Sequence, residues 1–245
     1  FVILVSSVSY LGYFLQKYLG VKAGLRITAL VGGLASTTAA TASLAKAASG
    51  QPAHLNRFWQ AVVLANAMQF PRVLAILAVV SRHLALQVWL PLTAMTVAGL
   101  GMGYLLGKRP EQDGDATRIA LQNPFQIGLA LQLGALFAGL VFVTKATANE
   151  LSTLAGLWVV AVGGSVHADA AALAASDLLN NGGAHPAAAA GAVLLALLAN
   201  ALVKTGIAAY AGGTSFALRT AAGFAVMFAA GLAGWLAWAS GIARN

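Results

Sequence analysis

Pro186-Ala-Ala-Ala-Ala-Gly-Ala-Val-Leu-Leu-Ala-Leu-Leu-Ala-Asn200-Ala-Leu-Val-Lys204-Thr-Gly-Ile-Ala-Ala-Tyr210 holds one charged residue, Lys204, and one amide, Asn200. A helix needs about 20 predominantly apolar residues to cross a ~30 Å hydrocarbon core, and this run is long enough. It opens on a proline, whose missing N–H costs nothing in the first turn of a helix. Asn180-Asn181-Gly182-Gly183 just before it is strong helix-stop chemistry. The run reads as a membrane-spanning helix.

Seven further segments share this pattern. The first runs from Phe1 to about Leu19, the second from about Leu25 to Ala48, and the third from about Arg57 to Val80, with a turn at Ser81-Arg82-His83. The fourth covers about Leu86 to Leu106 and the fifth Pro124 to Thr144. The sixth opens at Asn149-Glu150 and runs to about Leu179, the run quoted above is the seventh, and the eighth starts at Gly212-Gly213-Thr214-Ser215 and ends near Ala239. Residues 107–123 form a polar linker that includes Glu111, Asp113 and Asp115, three of the six acids in the chain.

Composition supports the same class. The 245 residues are 60% hydrophobic and 8% charged, with a mean hydropathy of +0.82. Soluble domains carry about 25% charged residues, so this chain cannot cover a water-facing surface. Its 14 Lys and Arg give a net charge of +8, but they sit at the ends of apolar runs rather than on one face. That pattern suits lipid headgroups and excludes a nucleic-acid interface. Basic residues on alternate loops show no bias that would fix orientation. With no cysteine, thiolate metal sites and disulfides are excluded. Phe1 lies inside an apolar run, so a preceding segment is expected.

The halves 1–106 and 124–245 read as two membrane repeats of about four segments each. Gly32-Gly33 in the second segment leads into Ser36-Thr37-Thr38, and Gly163-Gly164 in the sixth leads into Ser165-Val-His167-Ala-Asp169. Asn66 precedes Arg72 in the third segment as Asn200 precedes Lys204 in the seventh. Four full spans per half would make the repeats parallel, whereas three would make them inverted. The second and sixth segments are each long enough to cross, which favours parallel halves.

Glycine lowers helix stability by roughly 1 kcal/mol, so each Gly-Gly pair is expected to interrupt its span. Such broken helices form binding sites near mid-membrane in many secondary transporters. The alternative is that the glycines serve only helix packing. Ser36, Thr37, Thr38, Asn66, His167, Asp169 and Asn200 are therefore candidate solute-binding residues at the repeat interface. Asp169 is the most deeply placed acid, and a carboxylate in mid-span costs roughly 2.5–3.5 kcal/mol or more. Ser165, Asp169, Ala172 and Ser176 would share one face of a continuous helix. Lys204 or Arg72 is expected to pair with Asp169 as a latch, because two lone charges in hydrocarbon each cost several kcal/mol. His167 and Asp169 are not at metal-ligand spacing on a helix, so no metal or other cofactor is expected. Gly99, Gly103 and Gly107 read as a packing face rather than a dinucleotide loop, since no strand precedes them. No Ser–His–Asp or paired-carboxylate arrangement points to an enzyme.

At Leu30-Val-Gly-Gly-Leu-Ala-Ser-Thr-Thr-Ala-Ala-Thr-Ala-Ser-Leu-Ala45 the sequence resembles the domain of unknown function 4010 membrane family. The resemblance extends to Gly12-Tyr13, the Met68–Arg72 region, His167-Ala-Asp169-Ala170, and Asn200 with Lys204. Members often follow an MgtC/SapB-type membrane domain in one polypeptide, so the resemblance implies such an N-terminal partner. His167-Ala-Asp169 stands where the family pattern is Asp-Val-Asp, which removes one carboxylate from the implied site.

The sequence thus predicts an all-α polytopic transmembrane bundle of about eight helices in a bacterial cytoplasmic membrane. It would act as a secondary transporter or channel-like carrier of a small solute or ion, with lipid and solute as partners and room for a homo-oligomer. The competing reading is a non-transporting regulatory or scaffold module acting through its Gly-rich faces.

Overall fold

The computed structural model describes residues 24–106, 138–139, 141–144, 146–147 and 152–242. The first segment, the polar linker and most of the fifth segment lie outside the described residues. The described chain contains α-helices, one 3₁₀ turn and connecting turns, with no strand among these residues. Five helices are long and apolar enough to cross a membrane: Gly24–Gly50, Pro52–Val80, Arg82–Leu106, Pro186–Gly212 and Thr214–Gly241. The protein is a multi-pass membrane protein.

Helix α1 spans Gly24–Gly50, and a 3₁₀ turn at Pro52–His54 leads into α2, Leu55–Ala67. The chain restarts as α3, Gln69–Val80, and then as α4, Arg82–Leu106. Later in the chain come α5 (Thr153–Gly163), α6 (Ala168–Asn180), α7 (Pro186–Gly212) and α8 (Thr214–Ile242).

The third segment, expected as one helix, is two. Met68 interrupts it, its N–H donating to the Ala65 carbonyl in a tighter turn at 3.3 Å. Pro71 supplies the reason: it has no N–H to offer Ala67, and its ring crowds that carbonyl. The turn before α4 is shorter than expected, since only Ser81 is non-helical and Arg82 and His83 already belong to α4.

The described residues fall into two compact bodies, and each draws on both sequence halves. The first contains 73–90 and the described part of 126–203. In it, the Ser81 hydroxyl donates to Asn180 Oδ1 at 2.8 Å, and Asn180 Nδ2 donates to the Val80 carbonyl at 3.2 Å. These bonds tie the end of α6 to the α3–α4 turn.

The second body contains 24–72, 91–106 and 204–242. Its core joins Ala40, Leu44 and Ala45 of α1 to Phe58, Val62 and Ala65 of α2, with Ala208 and Phe216 added from α7 and α8. The small residues let these helices approach closely, the usual basis of association inside a bilayer. Gln60 Nε2 donates across to the Gly103 carbonyl at 2.6 Å, and Phe70 meets Phe228 edge to face with centroids 6.3 Å apart. Gly99 sits against Ala67 and Met227, and Gly231 against Met95. Numbering along α4 therefore rises as it falls along α8, so these two helices run antiparallel. Gly103 lies against Leu64, which makes Gly99 and Gly103 packing residues; Gly107 lies outside the described residues.

Candidate functional site

Two of the segments expected to span are broken, one in each body. In the second body α1 leaves helical geometry at Ser36, with φ −161° and ψ 106°. In the first body α5 ends at Gly163, a turn follows, and α6 starts after His167, with φ −153° and ψ 104°. The expected interruptions were at the glycine pairs. In α1 the break falls three residues beyond Gly33, and the glycine there serves close packing. A β-carbon on Gly33 would overlap the Ala65 carbonyl, 2.7 Å from its carbon. One on Gly164 would overlap the backbone and β-carbon of Ala196.

At Ser36 the chain supplies its own cap. Extended backbone with the Ser36 hydroxyl accepting from Ala39 N–H at 3.3 Å is an N-cap for the helix that follows. The carbonyls at the end of the preceding turn lose their helical donors. Arg72 Nη1 replaces them, donating to the carbonyls of Leu34 at 3.0 Å and Ala35 at 3.5 Å. A cation at a helical C-terminus also meets the negative end of the helix dipole.

Behind this break lies a chain of buried polar groups. Gln69 Oε1 accepts from Lys204 Nζ and from the Thr37 hydroxyl, the latter at 3.3 Å. The Thr41 hydroxyl donates to the Thr37 carbonyl at 2.8 Å and accepts from Asn66 Nδ2 at 2.9 Å. Asn66 Nδ2 also donates to the Val62 carbonyl at 2.9 Å. Lys204 is completely buried, and Thr37, Thr41, Asn66 and Gln69 are each at most 4% exposed.

The break in the first body is furnished differently. His167 occupies the N-cap position of α6 without a side-chain cap, and Asp169 lies in the first turn, where the helix dipole favours a carboxylate. Asp169 Oδ2 is 4.0 Å from His167 Nδ1, and its side chain is 2% exposed. Asn200 Nδ2 reaches the Ser165 carbonyl in the turn at 3.5 Å. Ser165 is therefore not on a helical face with Asp169, because the chain turns between them. Ser176, further along α6, is buried and donates to the Ala172 carbonyl at 2.9 Å.

Thr37 and Asn66 thus share one polar chain, with Ser36 at its edge, while Thr38 is exposed on the outer side of α1. His167, Asp169 and Asn200 gather at the other break. Arg72 and Lys204 are both engaged within the second body. Sequence reasoning passed over Gln69 and left Thr41 out of the candidate site. Gln69 is an amide inside an apolar span two residues before a proline, and that combination was the signal available.

The family model described as domain of unknown function DUF4010 matches residues 3–212. Neither curated proteins nor solved structures give a match. The match takes in both helix breaks and every polar residue placed at them, and the chain belongs to the domain of unknown function 4010 family.

Proposed function

We propose that this protein is a secondary transporter or channel-like carrier of a small solute or ion, built from two inverted repeats in a bacterial cytoplasmic membrane. The observation that carries this reading is the pair of broken spans, each with its exposed backbone met by side chains from a neighbouring helix. Non-helical backbone at membrane depth is tolerated only in shelter or beside a water-filled cavity, and transporters place binding sites at such breaks. Ionisable groups buried in spans, as Lys204 and Asp169 are, mark solute or proton pathways by default.

The repeat reading has its own support. Setting Gly33 on Gly164 places Ser36 on His167, Thr38 on Asp169 and Ala65 on Ala196. The backbone angles and the glycine contacts agree at those positions. This register puts Gln69, rather than Asn66, on Asn200. The fourth and eighth segments, equivalent in the two halves, run antiparallel within the second body, which favours inverted over parallel halves.

The test is purification of the full chain and a thermal-shift screen of ions and metabolites, since a ligand of the folded state must stabilise it. Hits are then assayed for flux into proteoliposomes. The expected result is a stabilising solute that also crosses, with both effects weakened by Asn200→Ala. Stabilisation without flux by any solute would favour the scaffold reading.

A further inference from the structure

We propose that Gln69 is the positioning residue through which Lys204 sets the geometry of the α1 break. A solute engaging Lys204 would then be registered at Ser36. That last clause rests on the transport reading; the coupling itself rests on geometry alone.

Gln69 and Arg72 are three residues apart in the first turn of α3, so they share one helical face. They hold opposite sides of the break. Arg72 binds the carbonyls of Leu34 and Ala35, which end the first half of α1. Gln69 binds the hydroxyl of Thr37, the first residue after Ser36. The Gln69 oxygen also accepts from Lys204 Nζ. A carbonyl-type oxygen has two lone pairs, and both bonds fall on this one atom, so its orientation is common to Lys204 and Thr37. Rotating the amide to follow one partner releases the other.

The remaining links are directional as well. Asn66 Nδ2 donates to the Val62 carbonyl, which can only accept, so the Asn66 amide cannot be flipped without loss. Its second bond, to Thr41, holds the hydroxyl that in turn holds the Thr37 carbonyl. Buried chains of this kind are polarised as a unit, and loss of one member is felt by its neighbours.

Amide hydrogen exchange by mass spectrometry on the full chain in detergent micelles tests this. The probe is the peptide region 36–41, with 176–183 as the reference. Gln69→Leu and Lys204→Met should each raise exchange across 36–41 by about five- to tenfold, the loss of roughly one buried hydrogen bond, and leave the reference unchanged. The double variant should exchange no faster than either single one. Gln69→Glu, which keeps an acceptor, should retain protection. Thr37→Val, which removes only the hydroxyl, gives the same readout should Gln69→Leu fail to fold: its effect should not add to that of Lys204→Met.

Unchanged exchange in a folded Lys204→Met protein, additive effects, or an equal rise in the reference region would each overturn the proposal. A protein that shows the coupling but transports no solute would remove the transport reading and leave the coupling intact. Transport without the coupling would do the reverse.

Discussion

Ser36 and His167 adopt nearly the same extended conformation, φ −161° and ψ 106° against φ −153° and ψ 104°, each three residues beyond a helix-packed glycine. Each residue precedes the first turn of a new helix. They differ in how the exposed N–H groups are met: Ser36 caps its helix with its own hydroxyl, whereas His167 makes no side-chain cap.

That difference gives opposite outcomes for cap substitutions. Ser36→Ala should lower stability by about 1 kcal/mol, the usual value of a lost N-cap. His167→Ser should raise stability by about 0.5–1 kcal/mol by adding one, while weakening solute binding if His167 serves the site. Thermal unfolding of the three proteins in one detergent checks both signs. A destabilised His167→Ser protein would mean that His167 has a structural role larger than a cap.

The glycines at the breaks should be intolerant of a single methyl. Gly33→Ala and Gly164→Ala each drive a β-carbon into backbone of the facing helix, an overpacking cost of about 1–3 kcal/mol. Gly101 and Gly191 face open space, and alanine there should be neutral or gain up to about 1 kcal/mol from helix propensity. Chemical denaturation of the four variants separates packing from propensity. Equal effects at all four positions would remove the close-approach explanation.

Arg72 should not be replaceable by lysine. Its guanidinium donates to the carbonyls of Leu34 and Ala35, and a hydrogen bond from a charged group is worth about 1.5–3 kcal/mol. Both bonds leave Nη1, which lies one atom further along the side chain than a lysine ammonium, so Arg72→Lys should recover less than half of the loss seen for Arg72→Ala. Full recovery would show that charge alone holds the break.

In the first body, Ser81→Ala and Asn180→Ala should be non-additive. Ser81 and Asn180 share a bond, and Asn180 makes a second one to the Val80 carbonyl. Asn180→Ala should therefore cost more, about 1–2 kcal/mol against about 1 kcal/mol. The double variant should match Asn180→Ala alone, and a mutant cycle read by thermal unfolding gives the coupling directly.

The membrane class and most span limits were legible in the sequence, because length and hydropathy alone decide whether a helix can cross lipid. Pro186–Gly212 and Arg82–Leu106 lie within a few residues of their expected bounds. The interruption of the sixth segment could also be read from Gly163-Gly164, since α5 ends there. The break in α1 could not be placed as well. Gly33 is used for contact with Ala65, and the break moves to Ser36, where a hydroxyl can cap and Arg72 can reach the freed carbonyls. Pro71 held the signal for the Met68 interruption, but its effect falls three to four residues upstream and was overlooked.

Residue type marked Lys204, Asp169, Asn66 and Asn200 as candidates, because polar groups inside spans are costly wherever they sit. Which groups they bind was beyond the sequence. Gln69 came to hold Lys204 and Thr37 only when α1, α3 and α7 packed together, and Thr38 turned outward only once α1 restarted at Ser36. A sequence lists the polar groups that an apolar interior must satisfy; the packing of separate helices decides which partner is within hydrogen-bond reach of each.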